Sequence, residues 1–263
     1  VLKDVAAVAA KSDQDAHAFV ELGAPADKVI VTGSIKFDVV PELGLQSKAD
    51  YFREESFAAR PVWVAGSTHP GEDEHLLAAH KEILEQVPDA VLVLVPRHPQ
   101  RFDAVAQLLE GQDWEFVRRS SNDEFSEEHS VYLADTMGEL MLMYAASDVA
   151  FVAGSIKPIG GHNLLEPACL KKPVLSGGYL FNFNDIVAMF DQNSALFRCT
   201  EVNEISTKVI ELLQDPEYCK EMGQKAYQVV EKNRGALERQ FRLIEQSLQE
   251  SKQAKDEQTA GEH

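Results

Sequence analysis

Residues 160–167, with the sequence Gly-Gly-His-Asn-Leu-Leu-Glu-Pro, have the composition of an anion-binding turn. They follow an apolar stretch that is typical of a buried strand, and they lead into a predicted helix. Backbone N–H groups at a helix start lack partners and carry partial positive charge, so a phosphate can be held there. We predict that Gly160, Gly161 and His162 form a phosphate loop in which the glycines allow close approach. This arrangement suggests a nucleotide site.

Asn163 and Glu166 stand three residues apart in the first turn of that helix, where both side chains can reach past the phosphate. A carboxylate can accept hydrogen bonds from two ribose hydroxyls, which is the role that we predict for Glu166. The same spacing is that of a capping box, in which two side chains satisfy helix-end donors reciprocally. Pro167 argues against a simple cap, because it would occupy the fourth helical position, where an N–H should donate. On local chemistry both interpretations stay open.

Arg97 follows another apolar stretch and is preceded by Pro96. Proline fixes its own φ and ends the strand, so Arg97 is presented from a rigid base, and its planar guanidinium suits a phosphate or a carboxylate. The alternative is a surface arginine that pairs with one of the many acidic residues. His98, a single loop histidine, is predicted to be a structural hydrogen-bonding group.

A third loop combines capping residues with exposed main chain. Thr136 and Glu139 have the spacing of a capping box. A capped turn would fix the main-chain groups of Met137 and Gly138, and these groups could then read the edge of a base. Capping and base reading are therefore compatible in this loop.

The apolar stretches that precede these loops are short and alternate with helix-like segments. This alternation predicts a parallel sheet covered on both faces, which is a Rossmann-like doubly wound α/β fold. Such sheets bind ligands at the C-terminal edge of their strands, so the loops would meet there. Their convergence favours a nucleotide or nucleotide-sugar site over capping alone. The predicted strands cover residues 5–10, 29–32, 62–65, 90–95, 130–133, 148–153 and 173–176.

The spacing of these segments also predicts how the chain is divided. A complete Rossmann-like domain is expected at 61–227, because the strands and helices alternate regularly there. The βαβ segment at 1–38 is too small to bury a core of its own, and the chain begins at Val1, which suggests a fragment. The other predicted segments are a linker at 39–60, a C-terminal helix at 228–250 and a disordered tail at 251–263.

Composition excludes several classes of protein. The formal net charge of −18 over 263 residues repels nucleic acid and anionic membrane surfaces, so no nucleic acid is expected as a partner. The three cysteines lie far apart and fit a reduced compartment better than a zinc site. Asp13 and Asp15 have metal-binding spacing, but Ser12 makes a helix start the better interpretation. No cofactor is predicted, and a hydride-transferring enzyme lacks its Gly-x-Gly-x-x-Gly turn.

Taken together, the motifs resemble those of the 3-deoxy-D-manno-oct-2-ulosonic acid (Kdo) transferases, which act in lipopolysaccharide synthesis. The resemblance covers nearly the whole chain. It implies the C-terminal half of a two-domain (GT-B) glycosyltransferase that binds CMP-Kdo, with the lipid A precursor bound by the N-terminal half. The resembling segments are GSIKFD at 33–38, AGSTH at 65–69, VPRHP at 95–99, DTMGEL at 135–140, GGHNLLEP at 160–167 and NFNDI at 182–186.

The resemblance also implies site residues and a reaction. Lys36 would stabilise charge on the donor as the glycosidic bond breaks in an inverting transfer, with no metal ion required. The general base belongs to the family's N-terminal half, so this chain is expected to bind the donor without transferring sugar. The full enzyme would work at the cytoplasmic face of the inner membrane, whereas this fragment would be soluble. The residues expected to contact CMP are Pro96, Arg97, Met137, Gly138, Glu139, Asn163, Leu164, Leu165 and Glu166.

Two other functions compete with this interpretation. One is another GT-B protein that uses a UDP-sugar, since such proteins share a ribose-binding glutamate but read a different base. The other is a non-catalytic interaction module in which the loops are merely capped. Comparing the binding of CMP and UMP would separate the three.

Overall fold

The computed structural model describes residues 2–260, with side chains through residue 253. Its contacts divide the chain into two units. The larger unit comprises residues 40–229, and the smaller unit combines the chain before residue 40 with the chain after residue 229.

The smaller unit begins with a short βαβ segment. Strand β1 (Val8–Ala10) pairs in parallel with β2 (Val29–Val31), and helix α1 (Asp13–Glu21) lies between them in the chain. Ser12 caps α1 by accepting a hydrogen bond from the N–H of Asp15 at 3.1 Å. The predicted helix start at this Asp-x-Asp motif is therefore confirmed.

The larger unit is built on a seven-stranded parallel sheet with the order β5-β6-β4-β3-β7-β8-β9. From β3 the chain adds strands on one side and then, from β7 onward, on the other side. This reversal point is where doubly wound sheets open a ligand crevice beyond the carboxyl ends of their strands. The strands are β3 (Val62–Thr68), β4 (Val91–Pro96), β5 (Phe116–Arg118), β6 (Val131–Leu133), β7 (Val149–Val152), β8 (Val174–Ser176) and β9 (Leu196–Arg198).

The central strands are apolar because helices cover both faces of the sheet. Every residue of β3, β4, β6, β7 and β8 is buried. The predicted fold class, a Rossmann-like doubly wound parallel sheet, is confirmed. The helices of this unit are α2 (Leu45–Ser56), α3 (Asp73–Gln86), α4 (Phe102–Gly111), α5 (Leu140–Ala146), α6 (Leu165–Cys169), α7 (Asn184–Gln192) and α8 (Val202–Gln214).

The two outer strands of the sheet were not predicted. β5 and β9 are three residues long, and they end in Arg118 and Arg198 respectively. A short run that contains a charged residue gives no continuous apolar signal, so the sequence pattern is silent at both sites.

The region 39–60, predicted to be a linker, instead contains α2, which packs in the larger unit. The ring of Phe52 meets those of Phe57 and Tyr132 edge-on, with centroids 5.4 and 5.7 Å apart. Three apolar residues in an otherwise polar segment are enough to fix a helix when they recur on one face. The buried residues of α2 are Leu45, Ala49 and Phe52.

The C-terminal region consists of two helices where one was predicted over 228–250. Helix α9 (Pro216–Asn233) ends before Gly235, whose φ is +87°, and α10 (Ala236–Ala260) follows. Asp38 caps α10 by accepting hydrogen bonds from the N–H groups of Gly235 and Leu237 at 2.5 and 2.7 Å. Within the predicted disordered tail at 251–263, α10 continues to Ala260, and residues 261–263 lie outside the described residues. Of the helices in the described part of the chain, none is long and apolar enough to span a membrane.

Candidate functional site

The candidate site lies at the C-terminal edge of the larger unit's sheet. The loops that follow β3, β4, β6 and β7 all leave the sheet there because these strands are parallel. The structure therefore brings together at one edge the loops that carry the predicted CMP-binding residues. Lys36 belongs to the smaller unit, in a 3-10 turn (Ile35–Phe37), and its side chain is exposed.

Arg97 is exposed directly after Pro96, which is buried as the last residue of β4. Its N–H donates to the carbonyl of Thr68 at 3.1 Å, which ties this loop to the end of β3. No described residue forms an ion pair with the Arg97 guanidinium, in contrast to Arg101, which pairs with buried Asp73. Pairing of Arg97 with an acidic side chain, the alternative interpretation, is therefore not seen among the described residues, and its contact with an anionic ligand stays a prediction.

Glu166 is held by Asn163, whose amide Nδ2 donates to Oε1 at 3.2 Å. The Asn163 Oδ1 accepts from the N–H of Leu165 at 3.1 Å and so caps the turn, although the residue at the N-cap position of α6 is Leu164. Burial raises the pKa of Glu166, and the hydrogen bond from Asn163 and the charge of Arg97 partly oppose this rise. No described residue donates to its second carboxylate oxygen. Asn163 therefore caps the turn and also orients the glutamate.

The predicted phosphate loop is more enclosed than its glycine content suggests. Gly160 and Gly161 are buried, with φ of +111° and +82°. A Cβ on Gly160 would lie 2.2 Å from Nδ2 of Asn182, and one on Gly161 would lie 2.6 Å from Cδ2 of Leu180. The close approach that these glycines permit is therefore to the segment 180–182. Their contact with a phosphate stays a prediction.

His162, the third residue of that loop, contacts His69 from the loop after β3. The two Nε2 atoms lie 2.8 Å apart, and the ring planes are nearly parallel, with an interplanar angle of 12° and centroids 5.0 Å apart. His98 meets His69 edge-on at 5.5 Å. Burial lowers the pKa of His69 and lowers that of His162 to about 4. Both rings are thus uncharged at neutral pH.

Glu72 is a site residue that the sequence motifs did not reveal. It is fully buried, and its carboxylate accepts hydrogen bonds from the N–H groups of His69, Gly154, Ser155 and Ile156 at 2.8–2.9 Å. It therefore joins the loop after β3 to the loop after β7. In the sequence, Glu72 looks like one of several acidic residues at a helix start, and only the distant loop distinguishes it.

The loop after β6 is fixed through Glu139, which precedes α5. Arg119 donates to both carboxylate oxygens at 3.1 and 3.0 Å, and the Thr136 hydroxyl donates to one of them. These bonds, that of Arg119 foremost, lower the pKa of Glu139. Met137 is 57% exposed, and Gly138 has a φ of +83° with open space around it. The carboxylate is engaged within the protein, so this loop offers a ligand its main chain.

Three further residues near the site pack or bond within the protein, and two of them were predicted to contact CMP. Leu164 and Leu165 are fully buried and hold α6 in the core. The Thr68 hydroxyl donates to Asp73 at 2.6 Å, so it braces the start of α3 through a side chain. Within residues 2–253, no group of three or more His, Cys, Asp or Glu side chains could hold a metal ion.

Comparison with known proteins identifies the family of this chain. Residues 73–229 match the profile described as "Glycosyl transferases group 1", and residues 1–39 match "3-Deoxy-D-manno-octulosonic-acid transferase (kdotransferase)". A 3-deoxy-D-manno-octulosonic acid transferase of Haemophilus influenzae is 40% identical over 246 residues, which is 93% of this chain and 58% of that protein. The chain belongs to the Kdo transferase family. It spans 58% of the length of that Haemophilus influenzae protein and 56% of the length of the 3-deoxy-D-manno-octulosonic acid transferase of Bordetella pertussis.

Solved structures agree with this placement. The crystal structure of "the C-terminal CMP-Kdo binding domain of WaaA from Acinetobacter baumannii" is 34% identical, with a TM-score of 0.68, and the match covers 72% of this Kdo transferase chain and 99% of that domain. Anabaena Alr3699/HepE, solved with UDP and glucose, is 15% identical with a TM-score of 0.54 over 92% of this chain and 62% of that one. The second similarity extends to the fold alone.

Proposed function

We propose that this chain binds CMP-Kdo in the crevice at the C-terminal edge of the larger unit. In this proposal it is the donor-binding part of an enzyme that transfers Kdo to a lipid A precursor. The observation that carries the proposal is the convergence of Arg97, the oriented Glu166 and the exposed main chain of Met137 and Gly138 at one sheet edge. The similar WaaA domain, whose name records CMP-Kdo binding, supports the same donor.

Each part of CMP has a complementary group in this crevice. Arg97 and the turn that ends at His162 would hold the phosphate, because a guanidinium and oriented N–H groups favour an anion. The free carboxylate oxygen of Glu166 would accept from the ribose hydroxyls. The main chain of Met137 and Gly138 would read the cytosine edge, with Glu139 fixing the loop from behind.

The reaction proposed for the whole enzyme is an inverting displacement. A hydroxyl of the lipid A precursor attacks the anomeric carbon of Kdo, its proton passes to a general base, and the bond to CMP breaks with the electron pair staying on the phosphate. We propose that this base belongs to the N-terminal half of the full enzyme, and we therefore expect this chain alone to bind donor without transferring sugar. Because the proposed acceptor is a lipid, we also propose that the full enzyme works at the cytoplasmic face of the inner membrane.

Calorimetric titration with CMP and UMP tests the donor assignment. We expect CMP to bind more tightly than UMP, and Glu166→Ala to weaken CMP about ten- to a hundredfold, because a hydrogen bond to a charged group contributes ~1.5–3 kcal/mol. Glu85→Ala, an exposed change near the far end of α3, is the control and should leave the affinity unchanged. Preference for UMP would indicate a UDP-sugar enzyme, and binding of neither nucleotide would contradict the proposal.

Lys36 requires a separate test because it belongs to the smaller unit. We propose that its ammonium stabilises the developing negative charge on the donor. Lys36→Ala in a full-length enzyme should abolish transfer while CMP affinity and the unfolding midpoint stay unchanged. Full transfer activity in that variant would exclude this role.

A further inference from the structure

The contact between His69 and His162 lies where the strand order of the sheet reverses. His69 follows β3 and His162 follows β7, and each comes from a loop that Glu72 binds through backbone N–H groups. The 2.8 Å distance between the two Nε2 atoms is that of a hydrogen bond. The two imidazoles are therefore held together from both sides of the crevice.

A hydrogen bond between two Nε2 atoms constrains their protons. One nitrogen must carry the proton and donate it, and the other must be unprotonated and accept it. At least one ring of the pair is thus neutral, and the accepting ring becomes charged only if this contact changes. With both rings neutral, the pair holds two protons fewer than two separate imidazolium rings, and it can accept one proton while it keeps this hydrogen bond.

The surroundings explain why the pair is neutral without a ligand. Burial lowers the pKa of both rings, and the positive charge of Arg97 and the neighbouring His98 lower each of them further. Arg101 also lowers the pKa of His69, whereas Glu72 raises the pKa of both rings. Glu72 already accepts four backbone hydrogen bonds, so it offers the imidazoles no direct bond.

Binding of a phosphate near this pair would raise the pKa of the two histidines. The positive charge of Arg97 acts on both histidines and on Glu166, so a phosphate bound to this guanidinium would lie within electrostatic range of all three. A negative charge at that place favours the imidazolium form. We propose that the His69 and His162 pair is part of the donor-phosphate subsite and takes up one proton from solvent when the phosphate binds. This inference rests on the proposed function and adds its proton linkage.

The absence of a side chain at Gly154 leaves the space that the His162 ring occupies. Gly154 has a φ of +72°, and a Cβ there would lie 2.6 Å from Cδ2 and 2.8 Å from Nε2 of His162. The ring thus occupies the space that any side chain at 154 would fill. This close packing orients His162 toward His69.

Calorimetry of CMP binding in buffers of different ionisation enthalpy, at about pH 6.5, measures the protons taken up. The phosphate of CMP itself titrates at about pH 6, but this contribution is the same for every variant and cancels in the difference. We expect the wild type to take up a substantial fraction of one proton more than His162→Gln or His69→Gln. Its CMP affinity should also rise relative to theirs, by up to about tenfold per unit of falling pH.

His129→Gln is the matched control, because His129 bonds to Ser126 before β6, at the opposite edge of the sheet. It should leave the proton count unchanged. Imidazole NMR shifts of the wild type provide a second readout that requires no variant to fold, and the shifts of two rings should move toward the imidazolium form when CMP is added.

Two results would overturn the inference while leaving the proposed function intact. The first is equal proton uptake on CMP binding by the wild type and both histidine variants, and the second is imidazole shifts that do not move when CMP binds. If CMP does not bind at all, the proposed function fails and this inference fails with it.

Discussion

His80 is a fully buried titratable side chain in the core of the larger unit. Its Nδ1 accepts from Nε1 of Trp63 at 3.2 Å, its Nε2 lies 2.9 Å from the carbonyl of Ser130, and its ring stacks on Trp114 at 5.5 Å. These partners require the neutral tautomer with the proton on Nε2, since a carbonyl can only accept. Burial lowers the pKa of His80 to about 3.

This environment makes stability depend on pH. In the unfolded chain the pKa of a histidine is about 6.5, so below that pH the unfolded state binds more protons than the folded state. Stability that is present at neutral pH is therefore lost as the pH falls from about 6.5 toward 3. His80 alone should lower the free energy of unfolding by about 2 kcal/mol between pH 7.5 and 5.

Urea denaturation followed by tryptophan fluorescence checks this value, because Trp63 and Trp114, the two tryptophans of the chain, both contact His80. His80→Gln should reduce the loss between the two pH values by about that amount, whereas His129→Gln should keep it. An unchanged pH slope in His80→Gln would show that another group controls the acid sensitivity.

Helix α2 shows at the level of an element how a polar segment can belong to a core. Phe52 is buried against Phe57 and Tyr132, while Tyr51, the adjacent residue, is 69% exposed. Arg53 adds hydrogen bonds to the carbonyls of Ala146 and Arg60 at 2.7 and 3.1 Å. These contacts make α2 part of the larger unit's fold.

Substitution of two adjacent residues tests whether α2 is a packed helix or a linker. Phe52→Ala should destabilise the larger unit by about 3–5 kcal/mol, since it removes a buried aromatic ring, whereas Tyr51→Ala should change stability by less than about 0.5 kcal/mol. Urea midpoints measured by fluorescence give both values. Equal effects of the two changes would mean that α2 does not pack as described.

Sequence patterns predict the elements of this fold best where a local signal exists. The strands around Trp63, Leu92 and Phe151 are continuous apolar runs, and these runs predicted the strands and their places in the chain. Residues 47–59 are helix-prone in sequence, but the packing of α2 was missed because three buried residues among polar ones give a weak pattern. The break at Gly235 was missed because its cap, Asp38, is distant in the sequence.

The residues of the candidate site also fall into those with a local sequence signal and those without one. Arg97, Asn163 and Glu166 could be named as candidates because each follows a predicted strand end and carries a suitable functional group. Glu72 and the partnership of His69 with His162 depend on loops that are 82 or more residues apart in sequence. No local pattern records such contacts, so only the folded chain reveals them.

At the scale of the whole molecule, the larger unit has an extensive core of its own. This hydrophobic cluster extends from Trp63 to Met222 and lies entirely in the larger unit. The similar WaaA domain, solved as a separate chain, corresponds to 72% of this sequence. A sheet buried on both faces with its own helices has what a domain needs to fold by itself.

Expression of residues 40–233, which retains all of α9, tests this independence. We expect the same urea midpoint by tryptophan fluorescence as for the whole chain and an unchanged affinity for CMP, because every proposed CMP contact lies within this range. Loss of cooperative unfolding would show that the core depends on the smaller unit. Retained folding with lost CMP binding would place part of the donor site outside residues 40–233.

The two outer strands of the sheet affect the tendency of the protein to aggregate at high concentration. Unpaired backbone groups along the edge of a sheet can recruit a strand from another molecule and begin aggregation. β5 and β9 are only three residues long, and they end in Arg118 and Arg198. A foreign strand would find few N–H and C=O groups to pair with and a positive charge where the pairing should continue. The same brevity that hides these strands from pattern analysis thus protects the chain against edge-to-edge aggregation.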